Sequence, residues 1–408
     1  MVERMKKEMS SLAAGQVLYP QEAPVKLKKS KGALFIGVPT ELSFQENRVS
    51  LKPESVQVLV NNGHEVWVEA GAGLSSNYSD NEYSEAGAKI IYSQKEVFQA
   101  DIVLKVEPPT IEEINMMRNG ATLISALQTG RQTVDFHIAL NQKKITAIGY
   151  EFIEDEVGGL PIVRAMSEIA GSSVMLIAAE YLSSSSNGMG IILGGITGVP
   201  PPKEDIVDAG TVAESAARAA LGLGVDISVF DNQIYKLRRL KHALNHQVYT
   251  STIDQATLHQ QIADADVLIG AIRAKKGRNR CLVTEEMVAS MKEGAVIVDV
   301  SIDQGGCIET SEITTHKNPT FKKYGVTHYC VPNIASRVAR TATNALSNIF
   351  TPMILQIGEA GSVEDMIFSR KWFMKGVYAH RGGLTNVHLA RKYNLPFKDL
   401  SLLIAARF

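Results

Sequence analysis

From residue 33 onward, short apolar runs alternate with amphipathic stretches, and that alternation constrains the fold more than any other feature of the chain. Runs at 33–38, 65–69, 89–92, 101–106, 122–126 and 146–150 have strand length, and helical stretches at 53–61, 79–87, 93–99 and 133–141 lie between them. Strands alternating with helices in this way predict a parallel sheet covered on both faces. A helix at 166–183 and a Gly/Pro-rich segment at 188–202 follow. A second series then begins, with strands at 204–207, 226–230, 247–249, 267–270 and 295–300 and helices at 211–221, 234–244, 253–264 and 284–291. Residues 338–408 are helical and lack the strands for a third sheet, so the C-terminus is expected to return to the first domain. The fold class is therefore α/β: two Rossmann-like, doubly wound parallel-sheet domains.

At 408 residues the chain is too long for one ordinary core, which agrees with two domains. Its 42 Lys and Arg nearly balance 43 Asp and Glu, so no bulk field draws in nucleic acid or an anionic membrane. The longest apolar stretches, at 173–182 and 191–199, fall short of the roughly 18 residues a membrane span needs. Residues 1–32 are rich in Lys without an apolar core, and read as a basic extension rather than a secretory signal. Cys281, Cys307 and Cys330 are scattered, with no CxxC pair. That pattern fits a reducing compartment, and Cys330 with His328 lacks the second ligand pair a metal site requires. No metal is expected. A small-molecule enzyme is the reading these numbers favour.

Ligands of open α/β sheets bind beyond the carboxyl ends of the strands. Arg48 follows the first strand, Lys105 ends the run at 101–104, and Asp303 follows the run at 295–302. An Arg and a Lys together can clamp a carboxylate, and an Asp opposite them can move or orient a proton. Each also suits a plainer role, as a solvated loop residue, a strand-end cation or a turn residue.

The segment Asp208-Ala-Gly-Thr-Val-Ala opens a helix after a strand, and Asp231 follows Gly210 by about 20 residues, where an acidic residue contacts ribose hydroxyls in dinucleotide folds. A full G-x-G-x-x-G would place glycine at 208, 210 and 213, and only Gly210 is present. Asp208 puts a negative charge where a pyrophosphate would lie, while Ala213 adds only a methyl group. The strand before it, at 204–207, is shorter and more polar than a buried parallel strand should be. A plain βα turn with no nucleotide stays open as the alternative on these residues alone.

Taken in order, several stretches resemble the alanine dehydrogenase and pyridine nucleotide transhydrogenase family. They are Ile36-Gly-Val-Pro-Thr-Glu, Glu46-Asn-Arg-Val, Gly63-His-Glu-Val, Glu69-Ala-Gly-Ala-Gly, Ala100-Asp-Ile-Val-Leu-Lys-Val, Met166-Ser-Glu-Ile-Ala-Gly, the run from Gly294 to Gly306, and His328-Tyr-Cys-Val-Pro-Asn. The resemblance implies a catalytic domain of 33–161 plus 340–408, with an NAD-binding Rossmann domain inserted at 162–339. It implies that Arg48 and Lys105 bind the carboxylate and carbonyl of pyruvate or alanine, and that Asp303 assists at the nicotinamide. Ser167, Asp231, Lys236, Ser251 and Asn333 fall on NAD-contacting positions, beside Gly210, Thr211 and Val212 of the loop. It further implies a cytoplasmic homo-oligomer, typically a hexamer, that oxidises L-alanine to pyruvate and ammonia.

Two positions depart from the family. Gln128 stands where its alanine dehydrogenases carry a general acid/base histidine, and glutamine has no proton to give near neutral pH. A Lys105-plus-Asp303 arrangement is the expected substitute. His137, in the next helix, reads as a surface residue. The altered loop predicts weakened cofactor binding. A noncatalytic paralogue keeping the fold and a transhydrogenase-type NAD(H)-binding component are the alternatives.

Overall fold

The computed structural model describes residues 32–43, 45–128, 131–155, 157–273 and 279–405. Apart from Gly32, the basic extension expected at 1–32 lies outside the described residues. The first series folds as β1 (Phe35–Val38), β2 (Glu65–Glu69), β3 (Lys89–Ile91), β4 (Ile102–Leu104), β5 (Thr122–Ser125) and β6 (Thr146–Gly149). The second comprises β7 (Lys203–Val207), β8 (Asp226–Phe230), β9 (Tyr249–Ser251), β10 (Val267–Gly270), β11 (Val296–Asp299), β12 (Thr320–Lys323) and β13 (Val326–Tyr329). Two strands from the C-terminal segment, β14 (Val377–His380) and β15 (Gly383–Leu384), complete the first sheet.

Both sheets are wound alike. The parallel order is β3-β2-β1-β4-β5-β6 in the first and β9-β8-β7-β10-β11-β13 in the second. In each, the winding reverses beside the opening strand, between β1 and β4 and between β7 and β10, which creates a crevice at the carboxyl ends. The pleat buries both faces: Ile124 and Ile148 join one core, and their neighbours Leu123 and Ala147 join the other. The antiparallel edges were not legible as strands. β12 pairs with β13, and β14 pairs with β6; Thr320–Lys323 is a polar run, and Val377–His380 is a short run set among helical stretches.

Four helices matter for the site: α1 (Pro161–Leu182), α2 (Thr211–Leu223), α3 (Ile234–Leu244) and α4 (Ala339–Ala360). α1 starts with Pro at its first turn, where the missing N–H costs nothing. By length and composition it could cross a membrane, whereas no run in the sequence had reached that threshold. Its Val174, Ile177, Ala178 and Leu182 instead pack into the core of the second sheet. α1 rests directly on α2 because residue 171 is glycine; a Cβ there would meet the Val212 carbonyl oxygen at 2.3 Å.

The strand judged too polar to be buried is β7, paired on both sides by β8 and β10. Glu204 and Asp205 are both buried within it. Neither carboxylate oxygen of Glu204 has a hydrogen-bond partner among the described residues. Alternation puts Glu204 on the same face as Ile206, in the apolar layer against α1 and α2. Burial, with Asp205 adding to it, pushes the Glu204 carboxyl well above its ordinary value. A group whose folded pKa is raised leaves the fold most stable below the ordinary value of 4.5 and erodes it as pH climbs toward the folded one. Glu204→Val is therefore expected to stabilise the domain by about 1–3 kcal/mol, the desolvation of an unpaired polar group, with a larger gain at pH 8 than at pH 5. Urea unfolding at the two pH values measures it. A variant less stable than wild type at pH 8 would show that Glu204 has a partner after all.

Candidate active site in the cleft between the sheets

The two crevices face each other across a cleft of about 590 Å³. From the first sheet it receives Arg48 of the segment after β1, Glu107 after β4, Gln128 after β5, and Tyr150 and Glu151 after β6. From the second it receives Gly210, Thr211 and Val212 at the start of α2, Lys236 of α3, Asp303 and Asn333. Ser167 of α1 lies on its floor.

Arg48 is buried and held rigidly. Its Nε and Nη2 donate to the two oxygens of Glu46 at 2.7 and 2.5 Å, and Nη2 also lies 3.3 Å from Glu107. Burial pulls the guanidinium down, but Glu46 outweighs it and holds Arg48 above the ordinary arginine range. Among the described residues Nη1 contacts only the Met166 sulfur, at 3.3 Å, so this edge can still take a carboxylate. Asn333 ties the second domain to the same anchor by donating to Glu46 at 2.7 Å.

Like Tyr150 and Glu151, Glu107 is a cleft residue that the sequence reading did not point to. It accepts from the Gln128 side chain at 2.5 Å. Burial raises its carboxyl to about 7, with Glu46, Glu41 and Asp303 adding to the rise against the pull of Arg48. Its position before Pro108-Pro109, just past a strand end, was the available signal. Gln128 is fixed in turn by its own N–H, which donates to Glu151 at 2.8 Å. Asp303 accepts from the Asn333 N–H at 3.2 Å, and the Arg131 guanidinium donates to its carbonyl from the opposite domain.

Lys105 does not line this cleft. It is buried behind β4, with its ammonium 3.2 Å from Glu41 and 3.1 Å from Glu113. Burial pulls the ammonium down, and the two glutamates outweigh that and keep it charged. The family resemblance implies a substrate contact for Lys105, and in this structure its ammonium is turned toward Glu41 and Glu113. His137 also differs from expectation. It is buried among Phe136, Tyr378 and Tyr393, and burial lowers its pKa, so it is a core histidine.

At the nucleotide end, Asp231 caps β8 and accepts from the N–H groups of Ala209 at 2.9 Å and Gln233 at 2.7 Å. Lys236 bridges Asp231 at 2.9 Å and Asp208 at 2.7 Å. The other Asp208 oxygen accepts from the Gly210 N–H at 2.8 Å, and Asp208 holds φ at 104°, in the region that favours glycine. Ser251 offers its carbonyl to the Asp231 N–H and stays outside the cleft lining. Burial, reinforced by Asp231, raises the Asp208 carboxyl to about 6 against the pull of Lys236. These residues fit a dinucleotide: an acceptor at the end of β8 and helix α2 pointing its N-terminus into the cleft. The misfit is local. The chain's own carboxylate occupies part of the anion seat.

Paired Rossmann-type sheets with their switch points meeting in one cleft are the architecture of two-domain oxidoreductases. The comparisons with known proteins specify which. The family models described as "Alanine dehydrogenase/PNT, N-terminal domain" and "Alanine dehydrogenase/PNT, C-terminal domain" match residues 37–170 and 174–387. The chain belongs to this family. It is 42% identical over 332 residues to an alanine dehydrogenase from Bacillus subtilis, covering 81% of this chain and 87% of that protein. An alanine dehydrogenase from Methanococcus maripaludis is 39% identical over 366 residues, with coverage of 89% and 98%. A solved L-alanine dehydrogenase superposes with a TM-score of 0.83 at 34% identity, covering 88% of this chain and 99% of its own. A transhydrogenase from Sinorhizobium meliloti gives 0.73 at 25% identity, covering 86% and 99%.

Proposed function

We propose that this chain catalyses the reversible, NAD-dependent oxidative deamination of L-alanine to pyruvate and ammonia. The observation that carries this reading is the single cleft that joins Arg48, a carboxylate anchor, to the N-terminus of α2, a dinucleotide seat. In it, Nη1 of Arg48 binds the substrate carboxylate, and Gln128 orients the carbonyl or amino group by hydrogen bonding. Asp303 faces the substrate from the nucleotide side and positions the water that hydrolyses the imine. Asp231 accepts from the adenosine ribose hydroxyls and would repel a 2′-phosphate, which favours NAD over NADP. Gly210, Thr211 and Val212 flank the pyrophosphate, with Ser167, Lys236 and Asn333 along the rest of the cofactor. When bound, NAD supplies the hydride acceptor. The division into a catalytic domain of 33–161 with 340–408 and an NAD domain of 162–339 belongs to this reading. So do a homohexamer and a cytoplasmic setting, which the family resemblance and the free cysteines support.

Fluorescence titration with NADH, followed by an assay with pyruvate and ammonium, tests the reading. Saturable binding and NADH consumption dependent on both co-substrates are expected. No binding at millimolar NADH overturns it. Binding without turnover favours a noncatalytic paralogue instead, a reading that Gln128 and Asp208 support.

A further inference from the structure

A dinucleotide brings a doubly charged pyrophosphate to the N-terminus of α2, and the side chains already there repel it. Asp208 and Asp231 share the Lys236 ammonium, so two carboxylates face one cation. At pH 8, above the value of about 6 to which burial raises Asp208, these groups carry net negative charge. A pyrophosphate bound here needs cations that the protein has not already paired.

Among the described residues, four cations line the cleft: Arg48, Arg164, Lys236 and Arg273. Arg48 is bonded to Glu46 at the substrate end, and Lys236 to the two aspartates. Arg164 and Arg273 differ from both. Their side chains are exposed, and neither guanidinium has a hydrogen-bonded or ion-paired partner among the described residues. Glu151 attracts Arg273 from across the cleft, but its Oε1 accepts from the N–H groups of Leu127 and Gln128, and its Oε2 is buried.

Both arginines adjoin the start of α2. In the ladder between β10 and β7, Gly270 pairs with Val207, so three residues further on Arg273 and Gly210 leave the sheet side by side. That is the switch point, where a dinucleotide crosses from one half of the sheet to the other. Arg164 lies in the first turn of α1. It lines the cleft together with Thr211, the first residue of α2, and the same two residues line an adjoining groove of about 650 Å³ between α1 and α2.

We infer that Arg164 and Arg273 bind the cofactor's pyrophosphate, one guanidinium reaching it from α1 and the other from the end of β10. This rests on the NAD-dependent reading above and adds two residues to its cofactor site. A guanidinium presents paired N–H donors to phosphate oxygens and keeps its charge at any working pH. Two of them turn the net negative charge at α2 into a net positive one. The pyrophosphate then lies beside the Asp208 carboxylate rather than in its place.

The test is an NADH titration of the full-length protein at pH 8, at low and at high salt. It compares wild type with Arg164→Met, Arg273→Met, the double Met variant, Arg164→Lys and Arg273→Lys. Neither arginine is bonded to a described residue, so its removal leaves no described group unpaired, and unfolding midpoints are expected to match wild type. Each Met substitution is expected to weaken NADH binding about ten- to a hundredfold, the contribution of a hydrogen bond to a charged group. Each Lys substitution is expected to fall between its Met counterpart and wild type, because it keeps the charge and loses the paired donors. Added salt is expected to weaken wild type more steeply than the double variant. Met variants that bind NADH as wild type does overturn the assignment and leave the dehydrogenase reading standing. So does a loss that Met and Lys cause equally and that salt does not change, which marks a role in shape rather than charge. A loss at one arginine alone overturns the paired seat. A wild type that binds no NADH at millimolar concentration overturns the cofactor reading itself, and this inference with it.

Discussion

Lys105→Met is expected to destabilise the fold by about 3–5 kcal/mol, the cost of removing one member of a buried ion cluster and leaving the others unpaired. Among the described residues the ammonium is the only cation bonded to Glu41 and Glu113, at 3.2 and 3.1 Å, and all three side chains are buried. Glu41 also holds the chain at the entrance to the cleft, accepting from the N–H groups of Val106 at 2.6 Å and Glu107 at 3.3 Å. Glu113 is committed on its other side to the Thr110 N–H, closing a capping box at the next helix. Without the lysine, the buried carboxylates must take up protons or rearrange, and either response disturbs the loop carrying Glu107. The raised pKa of Lys105 means that its contribution is fully present below the ordinary lysine value of 10.5 and is lost only above it. The lysine term of the deficit is therefore expected to be flat from pH 6 to 9. Denaturant unfolding measures it, and Lys105→Met with Glu41→Gln is expected to recover part of the loss. The folded fraction of Lys105→Met is expected to bind NADH as wild type does. A variant of wild-type stability without turnover would return Lys105 to the substrate.

That lysine marks where the sequence stops being legible. The alternation of runs was enough to place β1 to β8, β10 and β11, with β9 found two residues later than its run, because apolar strands and 3.6-residue periodicity are local properties. It was also enough to put Arg48, Gly210 and Asp303 at strand or loop positions that the structure brings into one cleft, whereas Gln128 was marked only by the family resemblance. Which way a side chain turns just past a strand end is decided by distant partners. Lys105 turns inward because Glu41 and Glu113 wait there, and Glu107 turns to the cleft because Arg48 and Gln128 do. His137 likewise is buried by Tyr378 and Tyr393, more than 200 residues away along the chain. β7 was misjudged for a related reason. Glu204 and Asp205 argue for exposure, yet the backbone is paired on both sides and the register leaves them nowhere else to go.

Asp208→Gly is expected to tighten NADH binding ten- to a hundredfold, and the pH dependence of the wild type identifies the cause. In the structure the Asp208 carboxylate does to the α2 N-terminus what a phosphate would do: it accepts from the Gly210 N–H at 2.8 Å and draws Lys236 to 2.7 Å. A pyrophosphate must displace it or lie beside it. Two like charges about 4–5 Å apart cost on the order of 1 kcal/mol in water and about 4 kcal/mol at the effective dielectric of a protein surface. Lys236 neutralises part of that repulsion, which leaves roughly 1.4–2.8 kcal/mol, or one to two powers of ten in Kd. Glycine also suits φ of 104°, so the variant is expected to lose no stability at the turn. The competing charge disappears on protonation, and burial beside Asp231 raises the Asp208 carboxyl to about 6. NADH affinity of the wild type is therefore expected to rise as pH falls from 8 through 6 to 5, while Asp208→Gly binds tightly with little slope across that range. Calorimetric titration at three pH values separates this account from its rival. If Asp208→Gly binds no better than wild type at pH 8, the weakness lies elsewhere, and Ala213 at the contact between α2 and the sheet becomes the residue to change.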